Sequence, residues 1–102
     1  MTSEVPQNEV DEANKAVSDF AERMLMTSPF SIQQHLAAAN TNDADELDKI
    51  VQVTHDHIGS TLAYLMRTDK FKRATNLDDV LDTLRGQLIT LVDDINKGIY
   101  RP

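Results

Sequence analysis

Four pairs of carboxylates in this chain have a spacing that suits binding of a divalent metal ion. Residues three apart on a helix lie on the same face, and carboxylate oxygens are the ligands that Mg²⁺ prefers. The pairs are Glu9 and Glu12, Asp19 and Glu22, Asp45 and Asp48, and Asp79 and Asp82. Acids are also favoured at helix N-termini and on solvated faces, so a purely structural interpretation explains the same pairs.

This spacing resembles the E-x-x-E and E-x-x-D helix motifs of the Mg²⁺-dependent all-α nucleotide pyrophosphohydrolases, the MazG-like family. The resemblance is limited to the spacing, and it implies hydrolysis of nucleoside triphosphates as an alternative function. Asp45 and Asp79 each lie near the N-terminus of a predicted helix. In an antiparallel hairpin their pairs therefore lie at opposite ends and meet only in an oligomer. We therefore predict a non-enzymatic protein with no catalytic residue.

The histidines do not have the spacing of a metal site. His55 and His57 are two residues apart on a predicted helix, so their side chains point about 200° apart and cannot chelate one ion together. The chain has no Cys and only three Gly, which leaves no thiolate site and no phosphate-binding glycine loop. No serine is framed by a G-x-S-x-G elbow. We predict neither a metal nor a cofactor.

A short basic segment, residues 67–73, is the strongest surface candidate for binding. It contains Arg67, Lys70, Phe71, Lys72 and Arg73. Four cations and an aromatic ring on a loop suit a phosphate, a nucleic-acid strand or an acidic peptide. Alternatively, Arg67 and Lys70 complement the C-terminal end of the preceding helix while Phe71 closes the end of the core.

A second candidate surface lies on the same predicted helix. Val53, His57 and Tyr64 form a stripe well away from its main apolar face. A helix that is apolar on two sides usually contacts two neighbours. We therefore expect this stripe to contact another helix, a protein partner or a second copy of the chain, and we favour a dimer over a monomer.

The net charge of −7 is unevenly distributed. Residues 1–66 carry eleven acids and three cations, residues 67–73 carry a net +3, and the remainder carries −2. A mostly anionic surface disfavours binding to nucleic acid in general or to anionic membranes. No stretch is apolar enough to span a membrane and no secretion signal is evident, so we expect a soluble cytoplasmic protein.

Apolar periodicity predicts an all-α fold, a small up-and-down bundle of three long helices plus one short helix. The clearest evidence is a 3.5-residue repeat near the C-terminus, consisting of Leu77, Leu81, Leu84, Leu88, Leu91 and Ile95. The predicted helices span residues 9–26, 29–39, 43–67 and 76–97. Ser28 and Pro29 are interpreted as the start of the short helix. Asp43 and Asn76 are interpreted as N-caps and Gly98 as a left-handed C-cap.

Together these features predict one helical domain over residues 9–102, preceded by a flexible leader over residues 1–8. The hypothesis for function is a small acidic interaction protein, such as an inhibitor, adaptor or accessory subunit. It would bind a larger protein, and its carboxylates could mimic the charge of nucleic acid. The alternatives are the oligomeric hydrolase and a nucleic-acid-binding module that uses the 67–73 loop.

Overall fold

Three helices account for the fold in the computed structural model, which describes residues 6–39 and 43–98. They are α1 (Gln7–Ala39), α2 (Ala44–Leu65) and α3 (Leu77–Asn96). Each helix packs against the other two. Hydrogen bonds from Arg85 to Gln52 and from His55 to Leu81 show that α2 and α3 are antiparallel. The all-helical bundle predicted from periodicity is confirmed over these residues.

The first two predicted helices are one continuous helix, so the prediction of four helices is wrong. α1 runs for 33 residues, with Pro29 inside it. The hydroxyls of Thr27 and Ser28 both donate to the Met24 carbonyl, at 3.0 and 2.6 Å. Ile32, beyond the proline, is fully buried in the same core as Val17. Burial on both sides of Pro29 offsets its helix penalty of about 3 kcal/mol.

The helix ends match the sequence predictions in part. Asp43 is the N-cap of α2, with its carboxylate accepting from the Asp45 N–H at 2.9 Å, and Gly98 has the predicted positive φ of 75°. Asn76 precedes α3 but makes no side-chain capping bond. α1 begins at Gln7, earlier than predicted. Residues 1–5 of the predicted leader, the turn at 40–42 and the tail after Gly98 lie outside the described residues.

The core is apolar throughout the described chain. Its fully buried large side chains are Val17 and Ile32 from α1, Ile58 and Leu62 from α2, and Leu84, Leu88 and Val92 from α3. No polar or charged residue is buried among those described. Among the described residues, the polar and charged side chains are therefore at least partly exposed, and the candidate sites lie on the surface.

No helix among the described residues is both long enough and apolar enough to cross a membrane.

Candidate functional site

Phe71 belongs to the core and not to a binding surface, which corrects one predicted site residue. It is only 7% exposed, and its ring meets that of Phe20 edge-on, with the centroids 6.2 Å apart. Backbone bonds from Phe71 and Lys72 to the Thr68 carbonyl, at 3.2 and 2.9 Å, hold the connection in tight turns. The aromatic ring thus closes the end of the bundle, as the alternative interpretation of the segment predicted.

The four cations of the 67–73 segment are exposed. Lys72 pairs with Asp69 at 3.0 Å, and the Lys70 ammonium lies 5.9 Å from the centroid of the Phe71 ring. Across a shallow depression this loop faces Glu9 and Glu12 of α1. The structure thus brings the basic segment together with one of the acidic pairs. Carboxylates beside the loop weaken its attraction for phosphate.

The predicted stripe on α2 is exposed. Val53 is 54% and Tyr64 is 70% exposed, and His57 is exposed beside them. Val53 and His57 line one depression together with His35 of α1. The His35 ring bonds the Ser31 carbonyl through Nδ1 at 2.7 Å.

His55 has a structural role between α2 and α3. Its Nε2 donates to the Leu81 carbonyl at 3.0 Å. Nearby, the Arg85 guanidinium donates to Gln52 at 2.9 Å, and Gln52 in turn donates to Asp56 at 2.7 Å. These bonds fix the register of the two helices. The His55 side chain therefore faces α3, whereas the His57 side chain is exposed near α1. Their angular separation along the helix predicted that they would face different ways.

Two of the other acidic pairs each place one member in a common cleft, and the third stands apart. In the part of the chain that is described, no group of three or more His, Cys, Asp or Glu side chains is arranged to hold a metal ion. Glu22 and Asp79 line a common cleft between α1 and α3, whereas Asp45 and Asp48 stand exposed at the start of α2.

At the C-terminal end of α3 the Lys97 ammonium bonds the Asp93 carboxylate at 2.8 Å. This hydrogen bond raises the pKa of Lys97 above its usual 10.5.

A groove between α1 and α3 is a surface feature that the sequence patterns did not predict. Its main part is a cleft of about 600 Å³. Leu25, Met26 and Pro29 line it from α1, and Gly86, Thr90 and Leu91 line it from α3. A second cleft of about 380 Å³ continues it toward the start of α3, and both share Thr83 and Gln87. We call the two together the α1/α3 groove.

Three residues in or beside this groove have unusual exposure or an unpaired polar atom. Met26 and Phe30, four residues apart on α1, are 71% and 69% exposed. Asn76, at the head of the groove, donates to the Asn14 carbonyl at 3.0 Å and to the Ser18 hydroxyl at 3.2 Å. Its Oδ1 is buried without a partner. The amide thus ties α1 to α3 at the cost of one unsatisfied acceptor.

Gly86 is the sequence signal that could have indicated the groove. A Cβ added there would meet nothing within 4 Å, and the residue is in the middle of α3. Glycine at such a position costs about 1 kcal/mol relative to alanine. Packing within the described chain does not explain the residue.

Comparison with known proteins identifies no relative: no family model, no curated protein and no solved structure matches this chain.

Proposed function

We propose that this protein is a non-enzymatic interaction protein that acts by binding a larger protein through its helical surface. The supporting observation is a set of large apolar side chains exposed on an acidic bundle. They are Met26, Phe30, Val53, Tyr64 and Ile89, each at least 50% exposed. Single exposed apolar residues are ordinary. Here, however, Met26 lines the α1/α3 groove, with Phe30 one turn further along α1. Val53 and Tyr64 share the α2 stripe with His57.

The apolar interior also favours a binding role. Enzymes stabilise developing charge with polar groups held in a water-excluded site. The described core contains no buried polar side chain, while the exposed apolar groups are the kind that become buried on association. An inhibitor, an adaptor and an accessory subunit all require such a surface.

Charge narrows the class of partner. With a net charge of −7, the surface complements a basic region on the larger protein, which would normally face nucleic acid or another anion. In that case the carboxylates compete for the basic region by mimicking phosphates. The 67–73 loop lies opposite Glu9 and Glu12, so a nucleic-acid-binding role for it has less support.

Site-specific photo-crosslinking in the cells that express the protein tests this proposal. A photoreactive residue replaces Met26, Tyr64 or, as an exposed control on α2, Asp48. We expect a crosslink to one larger protein from position 26 or 64 and none from position 48. The proposal fails if neither position gives a crosslink to another protein. It also fails if the purified chain hydrolyses nucleoside triphosphates and Asp79→Asn abolishes that turnover.

A further inference from the structure

We propose that the α1/α3 groove binds an amphipathic helix of the partner protein, with an apolar face toward the groove and lysine or arginine along its flanks. This inference rests on the proposed function and specifies the site and the chemistry of the partner. It follows from the groove's lining, its length, the open space above Gly86 and the sign of the charges along its edges.

The lining of the groove suits the apolar face of a helix. Leu25, Pro29 and Leu91 are half-buried, so each leaves part of its apolar surface in solvent. Met26 stands above them at 71% exposure. An amphipathic helix buries side chains at i, i+3, i+4 and i+7 in such a groove. Binding would complete the burial that the three helices leave unfinished.

The dimensions fit one helix. Asp79 and Asp94 mark the two ends of the groove along α3, and a rise of 1.5 Å per residue places them about 22 Å apart. That length accommodates about four turns. In effect the partner helix would be the fourth helix of a bundle, next to the parallel pair α1 and α3.

Gly86 permits a close approach of the two backbones. No atom lies within 4 Å of a Cβ built at this position, and Thr83 and Thr90 are the neighbouring lining residues on the same side of α3. Packed helices approach to about 8–10 Å between axes, and the distance depends on the side chains at the contact. A glycine there favours the short end of that range.

The charges along the groove determine which occupant it favours. The charged side chains that line it are Glu22, Asp79 and Asp94, and all three are acidic. A second copy of this chain would bring the same three carboxylates and a further net charge of −7. Like charges brought together oppose association, whereas lysine or arginine flanks complement the groove. The favoured occupant is therefore a basic helix and not a second copy.

Binding of a synthetic peptide to the full chain tests the inference. The probe is a fluorescent amphipathic helix of about 18 residues, roughly 27 Å long, with leucine on one face and lysine on the other. We expect anisotropy to show binding at about 0.15 M salt, where the screening length is about 8 Å. A peptide with glutamate in place of lysine should not bind. Equal binding of both peptides, or binding of neither, overturns the proposal.

Blocking the groove provides a steric test. Gly86→Leu fills the open space and should weaken lysine-peptide binding roughly tenfold or more. Ser60→Leu adds the same side chain at an exposed position on α2 and should leave the affinity unchanged. Circular dichroism and a thermal melt confirm that both variants are folded. Unchanged affinity in folded Gly86→Leu overturns the proposal.

Removing the acidic edge provides an independent test that adds no bulk. The triple variant Glu22→Gln, Asp79→Asn, Asp94→Asn should lose roughly tenfold in affinity and show a weaker salt dependence. The control triple Asp19→Asn, Asp48→Asn, Asp82→Asn changes the net charge equally at exposed positions that do not line the groove. Equal losses in the two triples would show that binding follows net charge alone, and the proposed site would be wrong.

Light scattering at several concentrations tests the competing occupant. We expect Gly86→Leu to leave the mass of the chain unchanged. A dimer that Gly86→Leu dissociates would place a second copy in the groove and overturn the proposal. Failure of this inference is distinguishable from failure of the proposed function. Crosslinks from Tyr64 with no peptide binding would overturn the groove alone, whereas the absence of any crosslink to another protein would overturn the function.

Discussion

The two mid-helix glycines, Gly59 and Gly86, lie in contrasting surroundings. A Cβ at Gly59 would lie 3.5 Å from the Leu81 side chain, whereas a Cβ at Gly86 would meet nothing within 4 Å. Gly59 thus lies where α2 and α3 are in contact. Gly86 lies where α1 and α3 leave a groove open. Glycine therefore lies against a packed neighbour in one region and beside open space in the other.

Polar bonds lie at different places along the two helix pairs. Between the middle parts of α2 and α3, His55 and Gln52 bond Leu81 and Arg85 across the helix pair. The bonds between α1 and the start of α3 involve Asn76 at the head of the groove. Alongside α1 and α3, the groove beyond these bonds stays open in the free chain and offers a surface for an additional helix.

The largest expected difference between the two regions is in the cost of removing an apolar side chain. Leu62 on α2 is fully buried and Met26 at the groove is 71% exposed. Leu62→Ala should lower the free energy of unfolding by about 2–5 kcal/mol, whereas Met26→Ala should change it by less than about 0.5 kcal/mol. Urea unfolding followed by circular dichroism measures both. Similar losses in the two variants would mean that Met26 is packed.

An intermediate difference is expected when each glycine is replaced by leucine. Gly59→Leu crowds Leu81 and should destabilise the free chain by about 1–3 kcal/mol. Gly86→Leu gains helix propensity and should stabilise it by up to about 0.8 kcal/mol. The same urea titration compares them. A destabilised Gly86→Leu variant would show that the space above α3 is already occupied in the free chain.

The smallest difference concerns the two histidines of α2. His55→Ala removes the bond to the Leu81 carbonyl and should lower the free energy of unfolding by about 1 kcal/mol. His57→Ala, at an exposed position, should leave it within about 0.5 kcal/mol of the original. Thermal unfolding of the two variants at one pH separates them. A larger loss from His57→Ala would mean that the α2 stripe is packed.

Much of this fold could be predicted from the sequence because it depends on local patterns. The Leu77 to Ile95 repeat specifies α3 by its period, and the Asp43 cap and the positive φ of Gly98 are set by residue type. The predicted helix break before Pro29 is wrong. The rule that proline ends a helix uses only the local sequence, whereas burial of Ile32 in the core depends on the other two helices. Asn76 stands at the predicted N-cap position, but its side chain bonds Asn14 and Ser18 instead of capping α3. Those partners are distant in sequence, so the local pattern could not indicate them.

The candidate site was harder to predict. Phe71 could be assigned to the loop or to the core from its neighbours alone, and contact with Phe20 assigns it to the core. The α1/α3 groove results from pairing two helices, so no single segment contains it. Val53, His57, Tyr64 and the predicted dimer were inferred from one helix, and their involvement in binding stays a prediction.

Pro29 divides α1, the longest helix, into two parts that we expect to differ in the free energy of local unfolding. Proline has no N–H, so the Leu25 carbonyl receives no bond from residue 29, and the ladder of backbone bonds is interrupted beside the groove. We expect residues 30–39 to unfold locally as one unit, with a lower free energy of opening than the preceding turns of α1. Amide hydrogen exchange would report it as earlier deuterium uptake beyond Pro29. A helix docked against Leu25 and Pro29 would slow that exchange, so the local opening of α1 and occupancy of the groove would be thermodynamically linked.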